Sequence, residues 1–521
     1  MVVRSFVRKN EYRDSVVLMR ISQQLEALDG VRKASAIMAT DNNKNILKDA
    51  GLLTDETSKA GPNDLTITVE ATSAEFADKA ISAVDVLLVE KPAGGQERLV
   101  CKTLNAAMKI IPDANLVMIS VPGPFAAREA MAALRERKHA FIFSDGVPIE
   151  EELRLKKFGE KNSLLVMGPD CGTAIINGVG LGFSNVVRRG PIGIVGAAGT
   201  GIQQVSSLVD EVGVSQAIGT GSNDLKEAIG AISMRMGLKL LDEDPSTKVV
   251  VVISKPPAPK VAKEVLRAIK NMKKPVVVDF IGGTASDIKR TGAMPASTLE
   301  DAAARAVGLV RGEKPKSAPF TQKTGKIKAI VKRESNLLST TQKYIRGLFS
   351  GGTFSYESML ILRNLIGDVY SNSPLDQKMK LSDVHESRKN TCVDMGTGMY
   401  TAGRPHPMID FRFRRERLMR EASDTETAVI LVDIVLGYGA HPDPAGEIAP
   451  SIRAAKEIAK RGGRFLSVVA NICGTRGDPQ DLDDQAKKLR DVGAVLTPSN
   501  AQAARMAALI ATRGKVWRKL K

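Results

Sequence analysis

The chain has 521 residues, enough for three or four domains, and its 43% hydrophobic and 26% charged residues are those of a water-soluble globular protein. No apolar run reaches the roughly 18–20 residues of a membrane span, and Met1-Val2-Val3-Arg4-Ser5-Phe6-Val7-Arg8-Lys9 lacks a signal-peptide core, so a cytoplasmic, membrane-free protein is expected. The net charge of +17 invites a nucleic-acid reading, but much of it lies at Lys314, Lys316, Lys323, Lys326, Lys328, Lys332, Arg333 and the tail 513–521, and 4% aromatics give few stacking platforms; solvated charge or attraction of small anions is expected instead.

Residues 1–90 alternate strands (2–7, 33–39, 65–71) with helices (15–28, 74–88), a ferredoxin-like α+β unit without evident chemistry. Residues 91–187 carry strands over 115–121, 139–144 and 163–167 and helices over 125–137 and 151–158. That is half of a Rossmann-like, doubly wound domain, but no G-x-G-x-x-G accompanies it. Residues 188–312 add strands at 192–195, 215–218, 248–253 and 275–280. A Lys-, Pro- and Ser-rich stretch, 313–340, reads as a basic linker. Residues 341–521 hold a second unit, with strands at 343–348, 391–394, 428–435 and 464–469. The four cysteines, Cys101, Cys171, Cys392 and Cys473, form no CxxC pair, which points to a reducing compartment and against structural zinc.

The last two units match at their strand ends. Gly199-Thr200 pairs with Gly352-Thr353, and Gly219-Thr220-Gly221 with Gly396-Thr397-Gly398. Ser254-Lys255-Pro256-Pro257 pairs with Gly437-Tyr438-Gly439, and Ile281–Asp287 with Ile472–Asp478. The expected fold is therefore α/β: a small N-terminal α+β unit, a Rossmann-like domain and two duplicated flavodoxin-like parallel-sheet domains. Open sheets of this kind bind ligands at the carboxyl ends of their strands.

The two Gly-Thr loops are the leading candidates for an anion cradle, with Gly199, Thr200, Gly201, Gly351, Gly352 and Thr353 as phosphate contacts. A glycine loop opening a helix aims backbone N–H groups at one spot, and threonine adds a hydroxyl. The bland alternative is a turn that only starts a helix. In Gly403-Arg404-Pro405-His406-Pro407, two prolines fix the histidine's backbone. Arg404 offers a planar fork for an anion, and His406 a general acid/base or a donor to a developing charge. His441 is a weaker candidate of the same kind, whereas His139 and His385 lack partners in the pattern. Asp170, Cys171 and Gly172, with Gly219, Thr220, Gly396 and Thr397, are expected to line the substrate; a lowered pKa would make Cys171 a nucleophile, and burial would make it inert. No metal-ligand spacing occurs, so no tightly bound metal or cofactor is expected, only magnesium carried in transiently with a phosphorylated substrate.

Val121-Pro122-Gly123-Pro124-Phe125, Ser144-Asp145-Gly146-Val147-Pro148, Gly168-Pro169-Asp170-Cys171-Gly172 and Gly193–Thr200 resemble the α-subunit of the succinyl-CoA synthetase (ADP-forming acyl-CoA synthetase) superfamily. Val166–Ala174, Gly199–Gln203, Ser254–Pro257, Ser350–Thr353 and Gly403–Asp410 are similar more closely to the FdrA family, over nearly the whole chain. The superfamily resemblance implies that the Rossmann-like domain, 91–187, is of the CoA-binding type, and that an acyl phosphate or phosphohistidine is held between two helix N-termini. In its ligases the phosphorylated histidine follows a Lys-Arg-x-Gly segment; the matching Lys289-Arg290-Thr291-Gly292 is followed here by Ala293. The FdrA resemblance implies a subunit of an oxamate carbamoyltransferase-type enzyme of purine (allantoin) breakdown. That enzyme converts oxalurate plus phosphate to oxamate plus carbamoyl phosphate, with further subunits or a homodimer as partners and a phosphate or acyl phosphate and a small carboxylate as ligands. CoA is left open as a ligand, and an ADP-forming acyl-CoA ligase subunit or a non-catalytic scaffold are the alternatives.

Overall fold

The alternation of Leu65, Ile67, Val69 and Ala71 builds the central strand of the N-terminal sheet in the computed structural model, which describes the chain except at residues 12, 14, 90–100, 102, 315–317, 402–404 and 521. The chain divides into two units: residues 1–100 with 397–407, and residues 101–396 with 408–521. In the first unit Leu65–Ala71 runs antiparallel to both Val2–Arg8 and Val31–Met38. Leu18, Ile21 and Leu25 on the helix Ser15–Glu26, and Ala77, Ala80 and Val84 on Ala74–Val89, are spaced for one helical face and close the core over it.

The second unit opens with a parallel three-stranded sheet, Leu116–Ile119, His139–Ile142 and Val166–Met167, in chain order. Two larger sheets follow. In one, the parallel strands run Val214–Gly219, Arg189–Gly196, Val249–Ser254, Val276–Phe280, Met294–Pro295 across the sheet. In the other they run Thr391–Asp394, Tyr344–Phe349, Thr427–Val435, Ser467–Cys473, Val495–Thr497. Both orders are second-first-third-fourth-fifth, the flavodoxin order, so the duplication read from the strand ends is a duplication of topology. Val249–Ser254 and Thr427–Val435 are buried along their whole lengths, the continuous burial of strands covered on both faces.

Three expectations change. The boundary drawn at 187 falls beyond a hairpin, Thr173–Ile176 with Val179–Gly182, that pairs antiparallel with Val214–Gly219 and so extends the first large sheet to seven strands. Asn177 and Gly178, both at positive φ, make its two-residue turn. The stretch 313–340 is not only a linker. It holds the helix Thr324–Ser335, whose Ile327 and Val331, one turn apart, enter the main core while its lysines stay exposed. The strand expected over 464–469 lies at Ser467–Cys473, because the Arg464 guanidinium is bound to the carbonyls of Ala422 and Asp424 and keeps the preceding residues in a loop.

The two duplicated halves meet within one chain and cap each other. The fifth residue after the first helical glycine is Gln204 in one half and Glu357 in the other. Gln204 accepts the backbone N–H of Asn500 at 3.3 Å, and Glu357 that of Leu299 at 2.8 Å. Leu299 and Asn500 each begin the last long helix of their own half, Leu299–Arg311 and Asn500–Ala511, so each Gly-Thr helix satisfies an end group of the opposite half.

Candidate functional site

Each Gly-Thr loop lies where a buried parallel strand turns into a helix. In the first half Gly196 ends the strand, Ala198 caps the helix Gly199–Leu208 with no side-chain bond, and Ile202 makes the first intrahelical bond, to Ala198 O. The N–H groups of Gly199, Thr200 and Gly201 therefore have no acceptor among the described residues. Such a helix start carries a partial positive charge. The second helix, Gly352–Ile366, begins against the first. A Cβ on Gly351 would stand 2.5 Å from Thr200 Cγ2, and one on Gly201 would stand 3.2 Å from Thr353 Cγ2. Glycine at 351 is thus required by the approach of Thr200, independently of any ligand.

In the second loop the N–H groups of Gly352, Thr353 and Phe354 likewise have no acceptor among the described residues, but the two N–H groups ahead of them are satisfied from within. Asp433, fully buried, accepts the N–H of Ser350 at 2.8 Å, that of Gly351 at 3.1 Å and the Ser350 hydroxyl at 2.6 Å, and pairs with buried Arg414 at 3.0 Å. Asp394 stands over the next residue, its Oδ2 2.6 Å from where a Gly352 Cβ would be, and its Oδ1 accepts the Gly396 N–H at 3.0 Å. The sheet registers give the first-half counterparts. Gly219 and Asp394 occupy the same place beside the first strand, as do Ile253 and Asp433 on its other side. Where one loop has an alkyl group and a hydrogen atom, the other has two carboxylates.

Lys255, exposed at the end of Val249–Ser254, lies with its Nζ 5.5 Å from the Tyr356 ring centre and within electrostatic reach of both Asp394 and Asp170. Burial raises the pKa of Asp394, and the neighbouring Asp433 adds to this, against Lys255 and the Gly396 N–H. Residue 170 as a whole is exposed, but the protein around its carboxyl and the like charges of Asp145 and Glu152 raise its pKa, opposed by the Ser222 hydrogen bond and Lys255.

Of the residues expected at the substrate, Gly172 lies by the first loop: a Cβ on Gly199 would be 3.8 Å from its Cα and 3.4 Å from Thr173 Oγ1. Cys171 turns inward, its Sγ 2.5 Å from where a Gly219 Cβ would be, and burial pushes its thiol up to about 12, so it is no nucleophile. Thr220 is fully buried. Its N–H and hydroxyl bond Gly196 O, and its carbonyl accepts buried Lys156, which also pairs with Glu152 and Asp224. Gly219 and Thr220 thus shape the wall rather than face a ligand. Thr397 and half-buried His406 fall within 397–407, the segment grouped with the N-terminal unit, and Arg404 lies outside the described residues. His441 Nδ1 accepts the Asp443 N–H, and His139 Nδ1 accepts that of Leu165, both structural uses. Ala293 is buried beside the edge strand Met294–Pro295.

Sequence reasoning missed Asp433, Asp394, Arg414 and Lys255. The signal for the first was present: a single acid inside the otherwise apolar run Ala428–Val435. Arg414 lies among five arginines between 412 and 420 and nothing in the pattern singles it out.

Three family profiles match: "AllF, heavy metal-associated domain" over residues 1–100, "CoA binding domain" over 187–282 and "CoA-ligase" over 348–510. The heavy metal implied by the first does not fit, because residues 1–100 contain neither cysteine nor histidine, the soft and borderline ligands such ions select. The chain is 27% identical over 205 residues to the α-subunit of ADP-forming succinate–CoA ligase from Methanothermobacter thermautotrophicus, covering 38% of this chain and 69% of that one. Dinucleotide-forming acetyl-coenzyme A synthetase 1 of Ca. Korarchaeum cryptofilum overlays with a TM-score of 0.30 at 16% identity, over 78% of this chain and 85% of that one, too loosely to compare sites. With the uncharacterized protein YahF of Escherichia coli (strain K12) the identity is 42% over 517 residues, 99% of this chain and 100% of YahF. The chain belongs to the family of YahF, built on the CoA-binding and CoA-ligase scaffold of the succinate–CoA ligases.

Proposed function

We infer that the chain is the acyl-phosphate-handling subunit of a cytoplasmic carbamoyl- or acyl-phosphate transferase of the oxamate carbamoyltransferase type. One observation carries this reading: the Gly199, Thr200 and Gly201 N–H groups, without acceptors among the described residues, open the helix that faces the second Gly-Thr loop. The ligase scaffold supports acyl-phosphate chemistry. Ala293, at the position where the ligases carry their phosphorylated histidine, favours a diffusible acyl phosphate over a covalent one. The FdrA-type motifs favour the carbamoyl group.

In this reaction a phosphate oxygen attacks the ureido carbon of oxalurate. The carbon–nitrogen bond to the oxamoyl group breaks, and the leaving nitrogen takes the proton that phosphate gives up. Backbone N–H groups hold the phosphate, Arg404 clamps an anionic oxygen, and His406 assists proton transfer or polarises the carbonyl. Magnesium enters only with the phosphorylated ligand, and the acceptor carboxylate comes to the same strand ends.

The test is the full chain, with its candidate partner subunits, given oxalurate and phosphate. Carbamoyl phosphate is expected, and its absence from the complete complex sinks the reading. An ADP-forming acyl-CoA ligase subunit is the second reading, favoured by the CoA-binding and CoA-ligase profiles. Transfer of labelled phosphate from ATP to the chain in an acid-labile form would favour it, and Ala293 predicts none.

A further inference from the structure

Ser254-Lys255-Pro256-Pro257 ends a fully buried strand on an exposed charge. The Ser254 carbonyl accepts the Ile281 N–H at 2.9 Å, and the first of the two prolines confines Lys255 to extended backbone, so the lysine leaves the sheet in a set direction. It makes no hydrogen bond or ion pair among the described residues. Its Nζ rests 5.5 Å from the ring centre of Tyr356, one turn into the helix Gly352–Ile366 of the opposite half. Ile253, two residues back, lies against the start of the other helix, its Cγ2 3.0 Å from where a Gly201 Cβ would be. The ammonium therefore stands at the rim of the gap between the two helix starts.

That gap is lined by donors. The N–H groups of Gly199, Thr200 and Gly201, and of Gly352, Thr353 and Phe354, have no acceptor among the described residues. Neither have the hydroxyls of Thr200 and Thr353 a partner there, on residues only 8% and 5% exposed, and that of Thr200 lies 2.8 Å from where a Gly351 Cβ would be. Two helix starts together supply about one positive charge, whereas a phosphoryl group carries about −1.5 to −2. The backbone alone leaves part of that charge unmet.

We propose that Lys255 is the counter-charge of the bound phosphate: its ammonium leaves the Tyr356 ring and binds an anionic oxygen of the phosphoryl group held between the helix starts. An ammonium over an exposed aromatic face is held more weakly than one hydrogen-bonded to an anion, so the ring keeps the charge near and the ligand draws it in. The lysine acts as a point charge and gives up no proton. The ligand class it selects is a dianionic phosphoryl compound, inorganic phosphate or an acyl phosphate.

This inference rests on the acyl-phosphate reading, and the experiment separates the two. Labelled phosphate is titrated into the full chain by equilibrium dialysis. Lys255→Met should weaken binding at least about ten-fold, the scale of one hydrogen bond between charged groups. Lys255→Cys should lose as much. Alkylation of that cysteine with 2-bromoethylamine, which rebuilds an ammonium of nearly lysine length, should restore affinity to within about three-fold of the wild type, and alkylation with iodoacetamide, which leaves a neutral amide, should not. Cys171, Cys392 and Cys473 are buried and Cys101 is half-buried, so wild-type protein treated alike is the control. Phosphate binding that is unchanged in Lys255→Met, as it would be if the lysine served the carboxylate substrate, overturns the inference and leaves the acyl-phosphate reading standing. So does a loss that the rebuilt ammonium fails to restore. A wild-type chain that binds no phosphate overturns the reading and the inference with it.

Discussion

The Gly199 and Gly352 loops have the same neighbours in the same sheet order, yet only the second has two carboxylates, Asp433 and Asp394, on the flanking strands. Duplication gave both a helix start at the end of a buried strand, and with it the partial positive charge of unbonded N–H groups. What separates them is two side chains. Ile253 and Gly219 place no charge beside the first loop, while in the second Asp433 accepts the Ser350 and Gly351 N–H groups ahead of the helix and Asp394 stands over Gly352. A shared backbone path therefore does not make two equal sites; the residues on the flanking strands set the charge beside each helix start.

The largest effect that breaks this comparison comes from Asp433. Asp433→Ala leaves Arg414 buried without its counter-charge and the Ser350 and Gly351 N–H groups without an acceptor. Breaking one side of a buried pair costs about 3–5 kcal/mol. The corresponding trim in the first half, Ile253→Val, removes one buried methyl group and should cost about 0.5–1.5 kcal/mol. Urea unfolding of both variants checks this, and equal losses would mean that the second loop does not depend on its carboxylate.

A middle-sized effect is expected at the point where the loops touch. Gly351→Ala places a methyl 2.5 Å from Thr200 Cγ2, an overpacking expected to cost about 1–3 kcal/mol. Gly201→Ala meets Ile253 Cγ2 at 3.0 Å and Thr353 Cγ2 at 3.2 Å, distances that small shifts absorb, and should cost less. Thr200→Gly in the Gly351→Ala background should recover most of the loss, measured as the interaction energy of a double-mutant cycle. Without such recovery the close approach of Thr200 is not what demands glycine at 351.

How much of this the sequence reveals depends on whether a feature is local. The buried parallel strands are legible because they are continuous apolar runs such as Val249–Ile253, and the duplication is legible because glycine and threonine recur at the ends of such runs. The Asn177-Gly178 hairpin is legible too, Asn-Gly being the strongest short-range hairpin signal, though its four-residue strands are short beside the elements around them. Ile327 and Val331 mark one helical face inside a stretch whose lysines dominate its appearance. The asymmetry of the site was not legible. It depends on residues 42 and 82 positions from Gly352 and Gly351, brought there only by sheet register, and on Thr200 meeting Gly351 across the duplicated halves.

The smallest effect concerns the strand next to Val249–Ser254 and its counterpart. Asp279 pairs in register with Ile253, and Asn471 with Asp433, so the two halves place an acid and an amide at one position; both are fully buried, and neither side chain has a hydrogen-bond partner among the described residues. Burial, with Glu357 and Asp301 as like charges nearby, holds the Asp279 carboxyl well above the usual carboxylate range. A carboxyl raised in the folded state contributes stability that is complete below its unfolded pKa, about 3.9, and is lost as pH rises through the folded value. Asp279→Asn copies the choice of the other half and removes that loss. The variant should match the wild type most closely near pH 4 and gain on it as pH rises, by at most about 1.4 kcal/mol per pH unit. Part of the wild-type slope should remain, because Glu357 and Asp394 are also raised, each chiefly by burial. Denaturation midpoints of both proteins from pH 4 to about 8 measure the difference. Parallel curves would mean that Asp279 is solvated or paired, and that the two halves differ at this position in name but not in protonation.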